Sequence, residues 1–194
     1  MSFSVEALAA QLLPGPGEPP PADGLRRAAV AALFHHAAPH GPSVLLMKRA
    51  ERAGDPWSGH VSLPGGRHEP RDLDLRATAI RESAEELGLA LDHGARYLGR
   101  MPTLHPRNAG PSGMEVTPYV FVTERPPPIV LGAEATATCW LPMSDVAAGR
   151  LDGTYEYPGP PAAMRFPCWR YEEFLVWGLT MRILGEILAA GRTH

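Results

Sequence analysis

Proline and glycine, 22 and 20 of the 194 residues, are clustered, and the clusters decide where regular structure can form. Pro14 to Asp23 (PGPGEPPPAD) cannot hold a helix or a central strand, because each proline lacks an N–H and fixes φ. Arg52 to Arg71 is likewise rich in Gly and Pro and is expected to be loop, as is Pro102 to Gly113. Between these breaks, strand character runs over Ala28 to Phe34 and Ser43 to Lys48, separated by the turn-forming HHAAPHGP. Further strands are expected near Ala95 to Met101, Met114 to Thr123 and Thr136 to Leu141. Helices are expected over Leu75 to Leu87 and Tyr171 to Ala190. The opening MSFSVEALAAQLL reads as a short amphipathic helix, since no Lys or Arg precedes its apolar run and no cleavage site follows. Residues 1–24 thus form an N-terminal helix and linker, and 25–194 one domain. Strands interspersed with helices predict an α/β fold with the sheet packed between helix layers.

Composition narrows the function classes. Hydrophobic residues make up 44% and charged residues 20%, ordinary values for a globular protein. The net charge is −3 with no basic block, so the electrostatic footprint of a nucleic-acid binder is missing. No apolar run approaches the roughly 20 residues that span a bilayer, and no membrane association is expected. Cys139 and Cys168 make no metal or redox motif. A reduced, cytoplasmic protein is the expectation.

The segment Leu63 to Leu89, LPGGRHEPRDLDLRATAIRESAEELGL, concentrates the chemistry. At about 100° per residue, Glu82, Glu85 and Glu86 fall within an arc of about 100°. Ala77, Ile80, Ala84 and Leu87 fall on the opposite side, the expected core face. Asp74 suits the N-cap and Gly88 a left-handed C-cap. Three carboxylates within one turn repel one another unless cations neutralise them, and hard divalent ions with oxygen ligands, Mg²⁺ or Mn²⁺, suit such a site. A bare ExxEE is also the pattern of a solvated acidic face, so the surroundings carry the argument. Pro64-Gly65-Gly66 permits a tight turn and close backbone approach before the helix. Arg81 can orient a carboxylate by a two-pronged hydrogen bond.

This segment resembles the Nudix box, G-x5-E-x7-R-E-U-x-E-E-x-G-U, where U is bulky and aliphatic. Arg81-Glu82, Glu85-Glu86, Gly88 and Leu89 match in register. Ser83 departs at a U position. Counted from Gly66, Asp72 takes the place of the first Glu, and the stretch to Arg81 is one residue too long. The resemblance implies a Nudix-type α/β/α sandwich with a mixed sheet. It also implies hydrolysis of a nucleoside diphosphate linked to another moiety, with metals held by Glu82, Glu85 and Glu86. Glu85 and Arg81 are the implied catalytic pair, and Glu85, Glu115, Glu134 and His105 are all candidates for the general base.

Upstream, LLMKRAERAGDPWSGHVSLPGG resembles the LLTxRSx3Rx3Gx3FPGG pattern of the branch that cleaves coenzyme A. Leu45, Leu46, Arg49, Gly59 and Pro64 to Gly66 fit. The segment is one residue longer, its second Arg position falls on Gly54 or Asp55, and Leu63 replaces Phe. Val176 to Thr180 (VWGLT) resembles the branch's IWGLT. Candidate substrate contacts are Arg49, Trp57, His60, Gly65, Gly66 and Arg67, with Arg52 and Arg107 as further cations. Trp177 and Leu184 read as core of the last helix, and Cys139-Trp140 as buried strand. Two other readings stay open: a hydrolase of ADP-ribose, a nucleotide sugar or a damaged nucleotide, and a Nudix-fold module that binds a nucleotide without cleaving it.

Overall fold

The computed structural model describes residues 2–21, 23–37, 41–54, 57–106, 113–157 and 164–193. The longest strand, β2 (Arg27–Ala37), follows two short elements, β1 (Ser2–Phe3) and α1 (Val5–Ala9). Ser4 caps α1, its Oγ accepting from the amides of Glu6 and Ala7. Next along the chain are β3 (Gly41–Arg49), β4 (Val61–Ser62), β5 (Gly65–Arg67), α2 (Leu75–Leu87), α3 (Leu91–Gly94), β6 (Arg96–Arg100), β7 (Glu115–Thr123) and β8 (Ala135–Pro142). The chain then forms α4 (Met143–Ala147), β9 (Asp152–Tyr157), β10 (Met164–Tyr171), β11 (Phe174–Trp177), α5 (Gly178–Ala190) and β12 (Arg192–Thr193).

A seven-stranded mixed sheet organises the body. Strands β2 and β7 pair in parallel, and all its other pairings are antiparallel. Strands β2 and β3 pair only near their hairpin end, from Phe34↔Val44 to Ala37↔Gly41. Beyond Phe34 they separate, and the segment 61–67 fills the gap, with β4 on β3 and β5 on β2. The Arg52 to Arg71 stretch is therefore loop only in part, because 61–67 finds free backbone edges on both sides.

Alternation on β2, β3 and β7 sends side chains to two cores. Ala29, Ala31, Leu33, Leu45, Met47, Tyr119 and Phe121 meet Ala79 and Leu87 of α2 on one face. Ala32, Phe34, Val44, Leu46, Val116 and Val120 meet α1, α4 and α5 on the other. The expected α/β/α layering is present. The Pro/Gly segment lies along the sheet, its Gly15 and Pro16 carbonyls accepting from the hydroxyls of Tyr97 and Tyr119.

Two expectations change. The C-terminal helix does not begin at Tyr171: Phe174 to Trp177 alternates buried and half-buried as β11, and Gly178, at φ +61°, turns the chain into α5. On α2 the buried residues are Thr78, Ala79, Ser83, Glu86 and Leu87; Ile80 is half-buried and Ala84 exposed. The core face is thus rotated toward Ser83 and Glu86. Ser83, completely buried, satisfies its hydroxyl on the Ala79 carbonyl at 2.7 Å. Among the described residues, no helix is long and apolar enough to cross a membrane.

Candidate active site

The cap residues hold α2 as expected: Asp74 accepts from the Ala77 amide at 2.7 Å, and Gly88 is left-handed at φ +66°. Below the helix, Gly65 sits in the split between β2 and β3 with φ +148°, and a Cβ there would lie 2.6 Å from Val30 Cα. Its N–H donates to Glu86 Oε2 at 2.8 Å. At Gly66 a Cβ would lie 2.5 Å from Glu82 Oε1, so the glycine pair lets the strand and two carboxylates share one space.

Glu86 is only 2% exposed. Burial pushes its carboxyl up to about 8, against the Gly65 N–H and with the Glu82 charge adding; Arg49 pulls it back and Glu134 adds again. Burial also raises Glu82, opposed by Arg81 and reinforced by Glu85 and Glu134. Glu85 is different: half-exposed, it accepts from Arg71 Nη2 and Arg81 Nη1, each at 3.1 Å.

Arg81 is the hub. Its guanidinium forks onto Asp72 at 2.8 and 3.0 Å, reaches Glu82 at 2.9 Å and donates to the Arg67 carbonyl at 3.0 Å. Burial raises the Asp72 carboxyl, but the Arg81 fork and the bonds from the Glu69 amide and Thr78 hydroxyl together hold it well below the usual range. Asp72 therefore anchors the arginine that spaces the glutamates. The Glu69–Asp72 turn that presents Asp72 to Arg81 is closed by the Asp72 amide on the Glu69 carbonyl at 2.9 Å.

The other candidates divide. Arg49 donates its backbone N–H to the His60 carbonyl at 2.9 Å, and its charge is felt at Glu86. Trp57 is 51% exposed and meets His60 edge to face at 5.8 Å; His60 in turn meets Trp177 at 5.1 Å. Arg67 is exposed at the end of β5. Among the general-base candidates, Glu134 lies within electrostatic reach of Glu82 and Glu86 and pairs with Arg52 at 3.2 Å. Glu115 and His105 belong to another network, with Glu115 on Arg27 at 2.9 Å. Arg107 and Asp55 lie outside the described residues. Trp177 is not helix core: it ends β11 among partly exposed aromatic rings, a placement that only strand pairing reveals. Leu184 is fully buried, and both cysteines are free and buried.

The donor set suits a hard divalent cation in kind, since buried Glu86 and half-buried Glu82, both raised by burial and by neighbouring carboxylates, are what a dipositive ion would offset. Among the described residues no three such groups already converge on one point, because Glu85 is turned into Arg71 and Arg81.

The NUDIX domain family profile matches residues 25–158, more than half of the chain. The chain belongs to the Nudix family. Relatives of this Nudix chain include the "Peroxisomal coenzyme A diphosphatase ndx-8" of Caenorhabditis elegans, 32% identical over 128 residues. That match covers 65% of this chain and 53% of the relative, so the chain spans about half of that protein's length. The "Uncharacterized Nudix hydrolase NudL" of Citrobacter koseri is 29% identical over 150 residues, 75% of this chain and 73% of the relative. Among solved structures, the C. elegans Ap4A hydrolase binary complex superposes with a TM-score of 0.53 at 21% identity, over 64% of this chain and 85% of that one. That likeness supports the Nudix fold, the sandwich predicted from the box.

Proposed function

We propose that this Nudix chain hydrolyses the diphosphate of coenzyme A or an acyl-coenzyme A, giving 3′,5′-ADP and (acyl)phosphopantetheine. The observation that carries the hydrolase reading is the carboxylate pair, buried Glu86 and half-buried Glu82, packed against Gly65-Gly66, with Glu82 held by Arg81. A Mg²⁺ or Mn²⁺ ion held by Glu82 and Glu86, with Glu85 recruited from its arginine pairs, would neutralise charge on the diphosphate and acidify the attacking water. The water oxygen bonds to one phosphorus, the P–O–P bridge breaks, and two monophosphates leave. In this reading Glu85 or Glu134 takes the water's proton. Arg81 acts by positioning, since its donors are committed to Asp72, Glu82, Glu85 and the Arg67 carbonyl. Coenzyme A is favoured by the resemblance of residues 45–66 and 176–180 to that branch and by the named activity of the C. elegans relative.

A second reading, cleavage of ADP-ribose or a nucleotide sugar, draws on the absence of an arginine at the second Arg position of the upstream pattern, which falls on Gly54 or Asp55. The test supplies coenzyme A, dephospho-coenzyme A, ADP-ribose and a nucleotide sugar with Mn²⁺ and identifies products by chromatography. Release of 3′,5′-ADP with the highest kcat/KM is expected. Faster turnover of ADP-ribose moves the assignment to the second reading, and no turnover of any of them leaves a nucleotide-binding module. Glu86→Gln is expected to lower kcat about a hundredfold. The Gln oxygen still accepts from the Gly65 amide, so this variant stays folded.

A further inference from the structure

A second, three-stranded sheet, β9–β10–β11, packs beside β4 and is not needed to complete the main sheet. Its register sorts side chains cleanly. Directly paired residues share a face, so Tyr155↔Phe166 and Cys168↔Trp177 put Tyr155, Phe166 and Trp177 together, with Tyr157 two residues along the same side. The opposite face is spent differently: Trp169, Phe174 and Val176 enter the core against α5. The aromatic face belongs to neither core cluster. Tyr155, Tyr157, Phe166 and Trp177 are all only partly buried, and their rings converge on Trp177 at 4.7, 5.9 and 5.5 Å. His60 joins them at 5.1 Å and carries the exposed Trp57 ring on its far side.

This wall is continuous with the carboxylate site through one residue. Arg49 bonds by its backbone N–H to the carbonyl of His60, and its charge acts on Glu86. From His60 the chain runs through β4 to Gly65, which binds Glu86; five residues reach at most about 18 Å even fully extended. The aromatic wall therefore adjoins the carboxylate site along β4, the strand that β11 packs beside.

We propose that this outward face of β9–β10–β11, with Trp57 and His60, is the surface on which the nucleobase of the substrate stacks. The inference rests on the diphosphatase reading and names what that site recognises beyond the phosphates. Partly exposed tryptophan and tyrosine rings offer π faces to a planar base, and such stacking is worth about 5- to 150-fold in affinity. Aliphatic residues would serve an acyl arm as well; six aromatic rings favour a flat partner.

The test measures binding of ADP, inorganic diphosphate and phosphopantetheine to the full chain by calorimetry in Mg²⁺, for the wild type, Trp57→Ala and Tyr155→Leu. Trp57 is exposed, so Trp57→Ala retains the fold, which circular dichroism verifies. ADP is expected to bind about tenfold more weakly to each variant, with inorganic diphosphate within about twofold of wild type. With a substrate that the wild type cleaves, KM is expected to rise more than kcat falls. Equal ADP affinity in wild type and variants overturns the proposal. So does a loss confined to phosphopantetheine, which would assign the wall to the arm, and so does a failure of ADP to bind the wild type. Absence of turnover alone would instead strike the diphosphatase reading, because the binding comparison does not depend on hydrolysis.

Discussion

Glu86 is the residue at which local and global demands collide. It is an ionisable side chain on the core side of α2, accepting one backbone hydrogen bond and feeling the charges of Glu82 and Glu134. Its folded-state value of about 8 lies above the ordinary carboxyl value of 4.5. For a carboxyl with a raised value, the stability associated with its protonated form is fully present below about pH 4.5 and is lost as pH rises through about 8. Glu82 is shifted in the same direction. Chelator-treated protein is therefore expected to lose thermal stability across that window, and Glu86→Gln to flatten the loss. Mn²⁺ added near pH 8 should raise Tm more in the wild type than in Glu86→Gln, because the ion binds only the deprotonated site. Melting curves from pH 5 to pH 8 (roughly the window above) decide it: an unchanged slope in Glu86→Gln would assign the pH dependence to other groups.

Helix α2 was legible in its ends and less so in its faces. Its span and both caps follow from Asp74, the 13-residue run and Gly88, all local signals. Spacing alone places Ile80 and Ala84 opposite the glutamates, yet Ala84 is exposed and Ile80 half-buried while Ala79 and Leu87 are fully buried. The reason is the Gly65-Gly66 strand, which approaches so closely that it encloses the glutamate side as well. Leu87→Ala is accordingly expected to cost about 2–5 kcal/mol, and Ile80→Ala clearly less, since part of its surface already meets water. Urea denaturation of the two variants compares them. A larger loss at Ile80 would mean that the helix is rotated relative to this packing.

At the scale of the molecule, the splayed β2–β3 pair sets the site. Because the two strands part beyond Phe34, segment 61–67 enters the sheet and delivers Gly65 beneath Glu86. On the other side, the Gly132 and Val130 amides cap the Glu86 and Leu87 carbonyls at 2.8 and 3.0 Å, and the chain leaving that cap carries Glu134 toward the box. Gly65→Ala is expected to cost at least about 1–3 kcal/mol through its left-handed φ, with further loss as the Cβ forces β5 from β2. It should also lower kcat by loosening Glu86. Gly185→Ala in α5 is the contrast: nothing lies near its Cβ, and the helix should gain about 0.5–1 kcal/mol. Denaturant midpoints and turnover of both variants test the pair; comparable stability in the two would show that the close approach at Gly65 is not structural.

The elements legible from the chain alone are those whose signals are short-range. The alternating runs that became β2, β3, β7 and β8, the capped span of α2, the register of Arg81, Glu82, Glu85 and Glu86, and hence the family, all rest on residues a few positions apart. Features that depend on partners far along the chain arise only in the folded molecule. Glu86 is buried because Gly65, 21 residues away, binds it; Asp72 anchors Arg81 because the intervening turn folds back. The aromatic wall exists because β9 and β11 pair with β10 in one register, and a one-residue slip would turn Tyr155 and Trp177 to the other face. Pairing energy between distant strands leaves little trace in local periodicity, so those faces emerge only once the sheet has closed.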